Sequence, residues 1–151
     1  MPDRGPPSGS RHCCQFTRPP RFLVVDDEPA VLRAIARVVG SARPSWQLRT
    51  VHSTRDALIE LCNRRFDVLV TEIELAGRSG LELLDVIHHD FPHLACVVHS
   101  AQVETYAGHP SLLQAVTLLQ KPCRPKNLIA AMTDALWNSV SAGEARASAA
   151  G

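Results

Sequence analysis

The sequence predicts an α/β fold, a doubly wound five-stranded parallel sheet flanked by helices, and three observations predict it. Short valine- and leucine-rich runs of strand length alternate with stretches whose apolar residues recur at helical spacing. The first run, Arg21 to Asp26, is continuously apolar and rich in valine, the pattern of a strand buried on both faces, while Trp46 to Val51 alternates. The chain has 151 residues, enough for one core with tails and too few for two ordinary domains.

Arg21 to Asp26 is the first such run. Pro29 suits a first helical turn, and Val31, Leu32, Ile35, Val38 and Val39 form a stripe that should end at Gly40. Trp46 to Val51 reads as the second strand. Ser53, with Asp56 three residues on, begins a helix carrying Ala57, Leu58 and Leu61. Phe66 to Ile73 is the third strand, and Leu81, Leu84 and Ile87 mark a helix that should stop before Pro92. Leu94 to His99 is the fourth strand. The fourth helix, within Gln102 to Gln114, should be short or broken, because Pro110 removes a backbone donor. Val116 to Gln120 is the fifth strand, and Pro125 opens a fifth helix with Leu128, Ile129, Met132, Leu136 and Trp137 on one face. Strictly alternating strands and helices imply right-handed crossovers that cover both sides of the sheet.

Residues 1–20 hold five prolines and few large apolar side chains, so they read as a flexible tail. Residues 141–151 are small and polar and read the same way, leaving 21–140 as the folded unit. No run approaches the ~20 apolar residues of a membrane span, and the N-terminus lacks the apolar core of a signal peptide, so a cytoplasmic protein without membrane insertion is expected. A net charge of +1 argues against direct nucleic-acid binding. The five cysteines form no C-x-x-C pair and read as reduced thiols. His88, His89, Asp90 and His93 lack the fixed spacing of metal ligands and read as a solvated helix end, and His12-Cys13-Cys14 reads as part of the tail.

In an open α/β sheet, ligands bind beyond the carboxyl ends of the strands. Those ends carry Asp26-Asp27-Glu28, Thr71-Glu72, Ser100-Ala101 and Lys121-Pro122. Carboxylates with waters suit magnesium, while a hydroxyl and an ammonium suit phosphoryl oxygens. Only two of the sixteen basic residues, Lys121 and Lys126, are lysine, so a lysine at this rim is a specific choice. The residues therefore describe a magnesium-dependent phosphoryl site, with Asp26, Asp27 and Glu72 as candidate metal ligands.

Four segments, 22–28, 66–84, 97–101 and 120–122, occur in the order and at the separations of the receiver domain of two-component response regulators, and the chain resembles that family over residues 21–140. The resemblance implies a flavodoxin-like topology and a role in phosphorelay signal transduction. It makes Asp26 and Asp27 the acidic pair for magnesium, Ser100 the switching hydroxyl, Lys121 the phosphate-contacting lysine, and Gly80 the residue of a tight turn into the third helix. Glu72 stands where the family carries its phospho-accepting aspartate. Its extra methylene displaces the carboxylate by about an ångström, an error that costs roughly a hundredfold in rate. Leu118 stands where the family usually has a switching aromatic, and Ala76 where it often has proline.

The expectation is a stand-alone, atypical receiver module rather than an enzyme, binding magnesium weakly or not at all. It would act through contacts with a protein such as a histidine kinase or a downstream effector, using a surface near Tyr106, Leu112 and Leu118, with a homodimer left open. The alternative is a small magnesium-dependent phosphatase of similar topology, resembling haloacid-dehalogenase-type enzymes. Those separate their aspartates by one residue, whereas Asp26 and Asp27 are adjacent.

Overall fold

The computed structural model describes residues 18–76, 79–115 and 117–149. The elements run β1 (Arg21–Val25), α1 (Pro29–Ala42), β2 (Gln47–Val51), α2 (Thr54–Asn63), β3 (Val68–Thr71), α3 (Gly80–Asp90), β4 (Ala95–Ser100), a 3-10 turn (Pro110–Gln114), β5 (Thr117–Gln120) and α4 (Pro125–Ala149). All strand pairs are parallel, in the order β2-β1-β3-β4-β5. This is the flavodoxin-like doubly wound arrangement.

Alternation of side chains along the strands divides the core into two layers. Leu23, Val25, Leu69, Cys96 and Val98 pack with Ala57 and Leu61 of α2 and Leu83, Leu84 and Ile87 of α3. Phe22, Val24, Val68, Val70, Ala95 and Val97 pack with Leu32, Ile35 and Val39 of α1 and Leu128, Met132 and Leu136 of α4. The three central strands are covered on both faces, which is why their sequences are continuously apolar. Ser53 caps α2 by accepting from Asp56 N at 3.1 Å, and Ser79 caps α3 through Leu81 N.

Several of the expected boundaries move, and the third strand, expected from Phe66 to Ile73, is confined to Val68–Thr71. Gly40 does not end α1, which continues to Ala42 because its buried stripe outweighs the roughly 1 kcal/mol cost of an exposed helical glycine. The stop is set instead by Arg43, which precedes Pro44 and so is pushed out of helical geometry. The fourth helix is absent as an α-helix: residues 101–108 form turns, and Pro110 opens only the 3-10 turn, so four α-helices rather than five flank the sheet among the described residues. Residues 141–149 are not a tail, since α4 runs through them on the helix propensity of their alanines, Glu144 and Arg146. Residues 18–20 are anchored too: Arg18 grips Asp67 with two bonds of 3.0 and 3.1 Å, Arg21 N donates to the same carboxylate, and Gln47 N donates to Pro20 O. His12-Cys13-Cys14, Gly77, Arg78 and Val116 lie outside the described residues.

Candidate functional site

The carboxyl ends of β1, β3, β4 and β5 meet at one rim, as the topology requires. Asp26 directly follows β1 and is buried, while Asp27 and Glu28 point to solvent. Asp26 Oδ1 accepts from Glu28 N at 2.9 Å, which fixes the turn into α1. Glu72 follows β3, its backbone still in register through Glu72 N donating to Val25 O. Its Oε1 accepts from Ile73 N at 2.7 Å and Glu74 N at 3.3 Å. Ser100, fully buried at the end of β4, hydrogen-bonds to the Glu72 carboxylate, and its Oγ accepts from Gln102 N at 3.0 Å. Lys121 follows β5, held by Lys121 N donating to Ser100 O, and joins Pro122 through a cis peptide bond.

Lys121 closes the cluster. Its Nζ lies 2.6 Å from Asp26 Oδ2 and 2.8 Å from Glu72 Oε2, bridging the two buried carboxylates. Burial pushes the Glu72 carboxyl toward higher pKa, but the bonds from Lys121 and Ser100 outweigh it and hold the group below its ordinary value of 4.5. The balance at Lys121 is the mirror image. Burial favours the neutral amine, the bonds to Asp26 and Glu72 favour the ammonium, and the net shift is upward. The expected residues Asp26, Glu72, Ser100 and Lys121 are thus brought together, with Asp27 at the mouth of the same open pocket.

The magnesium site implied by the sequence does not fit this arrangement. Both oxygens of Asp26 and both of Glu72 already accept bonds, and the Lys121 ammonium sits between them. Among the described residues no three His, Cys, Asp or Glu groups converge as metal ligands. Asp26 and Glu72, named above as metal ligands, are here partners of Lys121.

Gly80 opens α3 at a close approach of two backbone segments. Its φ is not positive, and among the described glycines only that of Gly108 is. A Cβ at Gly80 would run into the Glu72 carbonyl oxygen and lie 2.9 Å from Ile73 Cα, while Gly80 N donates to Ile73 O at 2.6 Å. The first turn of α3 is therefore pressed onto the backbone that carries Glu72, which only glycine permits.

Three participants carried no separate assignment in the sequence. Glu74 and Gln102 line the pocket because of turns after β3 and β4 that no periodicity announces. His99 is buried on the α1/α4 side of β4, with Nε2 3.6 Å from Cys123 Sγ. Its polar type within an otherwise apolar strand was the available signal. Burial and the Lys121 charge hold His99 below its ordinary value of 6.5, against the opposing pull of Asp26 and Glu72. His89 pairs with Asp90 at 2.7 Å at the exposed end of α3.

The sequence model of the response regulator receiver domain matches residues 22–133. The chain belongs to the receiver family. The receiver domain is 30% identical over 102 residues to the nitrogen assimilation regulatory protein NtrX of Azorhizobium caulinodans, covering 66% of this chain and 20% of that protein. It is 30% identical over 105 residues to a protein-glutamate methylesterase/protein-glutamine glutaminase of Anaeromyxobacter dehalogenans, covering 68% of this chain and 30% of that one. The chain thus spans less than a third of the length of either relative. Its fold matches the signal receiver domain of an HD domain-containing protein from Pseudomonas fluorescens Pf-5, with a TM-score of 0.79 at 22% identity over 85% of this chain and 95% of that one. It also matches response regulator TrrA of Thermotoga maritima, solved in complex with Mg(2+)-BeF, with a TM-score of 0.71 at 23% identity over 78% and 99%. No helix among the described residues is long and apolar enough to cross a membrane.

Two predictions follow from the receiver site. Gly80→Ala should destabilise the fold by about 1–3 kcal/mol, because backbone cannot yield as a side-chain tip can; urea unfolding measures it. Stability should also fall in two stages on acidification. The lowered His99 pKa means that the unfolded chain binds a proton first, so stability declines as pH drops below 6.5. The lowered Glu72 pKa adds a loss beginning near 4.5 and continuing through its folded value. In urea unfolding across pH, His99→Gln should remove the first stage and Lys121→Met should diminish the second.

Proposed function

We propose that this receiver domain is an atypical signalling module in which Glu72 occupies the acceptor position without serving as an ordinary phospho-acceptor, and which acts through protein contacts. The observation that carries the reading is the pair of bonds from Lys121 Nζ to Asp26 and Glu72. A lysine that meets a phosphoryl group only after transfer is here already satisfied by a resident carboxylate, so the site is closed by its own charges. The partners this reading names are a histidine kinase or a downstream effector. The phosphatase alternative gains no support, since the family and fold matches are receiver domains and no aspartate two residues beyond Asp26 is available.

The exposed face that includes Leu118, 40% accessible on β5, is part of the contact surface in this reading. Without an aromatic there, the surface is preformed rather than switched from within β5.

Wild-type protein incubated with a small phosphodonor and magnesium should gain no phosphoryl mass in an intact-mass measurement. Glu72→Asp should gain one, because Asp26, Ser100 and Lys121 are already gathered. Phosphorylation of the wild type would refute the closed-site reading. Magnesium titrated calorimetrically at millimolar concentration should bind Glu72→Asp more tightly than wild type, since withdrawing the longer carboxylate leaves Lys121 with one partner and opens oxygen ligands. Equal or tighter binding by wild type, abolished in Asp27→Ala, would contradict it.

A further inference from the structure

Residues 101–109 stand where the alternation of the fold calls for a helix, and they are tied to the site at two points. Gln102 N donates to Ser100 Oγ at 3.0 Å. Farther along, the Tyr106 hydroxyl donates to Glu74 Oε1 at 3.4 Å, and Glu74 N itself donates to Glu72 Oε1 at 3.3 Å. A continuous series of bonds therefore runs from the Glu72 carboxylate, through the turn after β3, to the ring of Tyr106. That ring is half-buried against the α2/α3 side of the core.

The two ends of the segment differ in what holds them. After Gly108, whose φ of +82° reverses the chain, the 3-10 turn is fixed to α3 by Ser111 Oγ donating to Asp85 Oδ1 at 2.7 Å. That anchor involves no residue of the site. Within the segment, Tyr106 N donates to Gln102 O and His109 N to Tyr106 O, so Tyr106 is the middle support of a loop that otherwise touches the core only near its start, at Val103. Strand β5 meets the segment at its first residue, where Gln120 Nε2 donates to Ala101 O at 2.8 Å, while Leu118 has no polar group with which to reach Tyr106.

We propose that Tyr106 is a positioning residue that couples the Glu72 site to residues 101–109, so that the placement of the Glu72 carboxylate sets the order of this segment. The coupling rests on the reading of Glu72 as the resident charge of the site. It travels through contiguous hydrogen bonds rather than through an aromatic on β5.

Amide hydrogen exchange of the full chain, resolved to peptides within 101–109, tests the proposal. Tyr106→Phe keeps the ring and removes only the hydroxyl, and Glu74→Ala removes its acceptor. Each should speed exchange in this segment at least about fivefold, and the double variant should exchange no faster than the faster single, because both remove one contact. Glu72→Ala should accelerate the same amides. Unchanged exchange in Tyr106→Phe overturns the proposal; acceleration there with none in Glu72→Ala overturns the coupling. Should Glu72→Ala fail to fold, Glu72→Gln serves with a second readout. The chain has a single tyrosine, so 13Cζ-tyrosine labelling gives one resonance. Movement of that resonance toward its position in Glu74→Ala supports the coupling, and an unmoved resonance overturns it. Phosphorylation of the wild type would remove the reading of Glu72 while leaving the exchange result to decide the coupling separately.

Discussion

One ammonium group holds the functional end of this molecule together. Asp26 and Glu72 are both buried beside each other at the ends of adjacent strands, and two like charges so placed repel strongly in a poorly screened site. Lys121 makes their coexistence feasible by standing between them, at 2.6 and 2.8 Å. Removing one partner from such a group costs far more than an exposed ion pair contributes, because the remaining charges lose solvent and compensation together. The position of β5, the turn after β3 and the start of α1 are all constrained by this one contact.

The surrounding backbone is arranged to keep the carboxylates from turning away. Asp26 is held on its far oxygen by Glu28 N, and Glu72 by Ile73 N and Glu74 N. Gly80 then brings α3 against the Glu72 peptide, so the carboxylate is fixed from behind as well as in front.

Most of the sheet was legible in the sequence because burial on both faces leaves a continuous apolar signature. The apolar runs locate β1, β3 and β4, although the run from Phe66 to Ile73 overreaches β3, which lies between Asp67 and Glu72. The site residues were legible for the same reason: a polar group ending a buried strand stands out. What escaped detection depends on local competition or on distant partners. Gly40 looked like a helix end, but the buried stripe around Val39 and the block at Pro44 decided the boundary. The continuation of α4 through residues 141–149 escaped because an alanine-rich solvated helix has no apolar stripe to count. The direct engagement of Lys121 with both carboxylates could not be read from spacing, since Asp26 lies 95 positions and Glu72 49 positions (121 − 72) before it.

The extent of α4 has a mechanical consequence. Its 25 residues begin four positions after Lys121 and form a rod of about 37 Å, longer than the sheet it lies against. Its buried residues Leu128, Met132 and Leu136 grip the sheet along the first half, Asn138, Ser139 and Ala142 border the end of α3 and the start of β4, and residues 143–145, 148 and 149 are exposed. A tilt of about 5° at Ala142 carries Ala149, about 10 Å farther on, through roughly 1 Å. The helix thus starts beside the charged rim and carries its exposed end away from it.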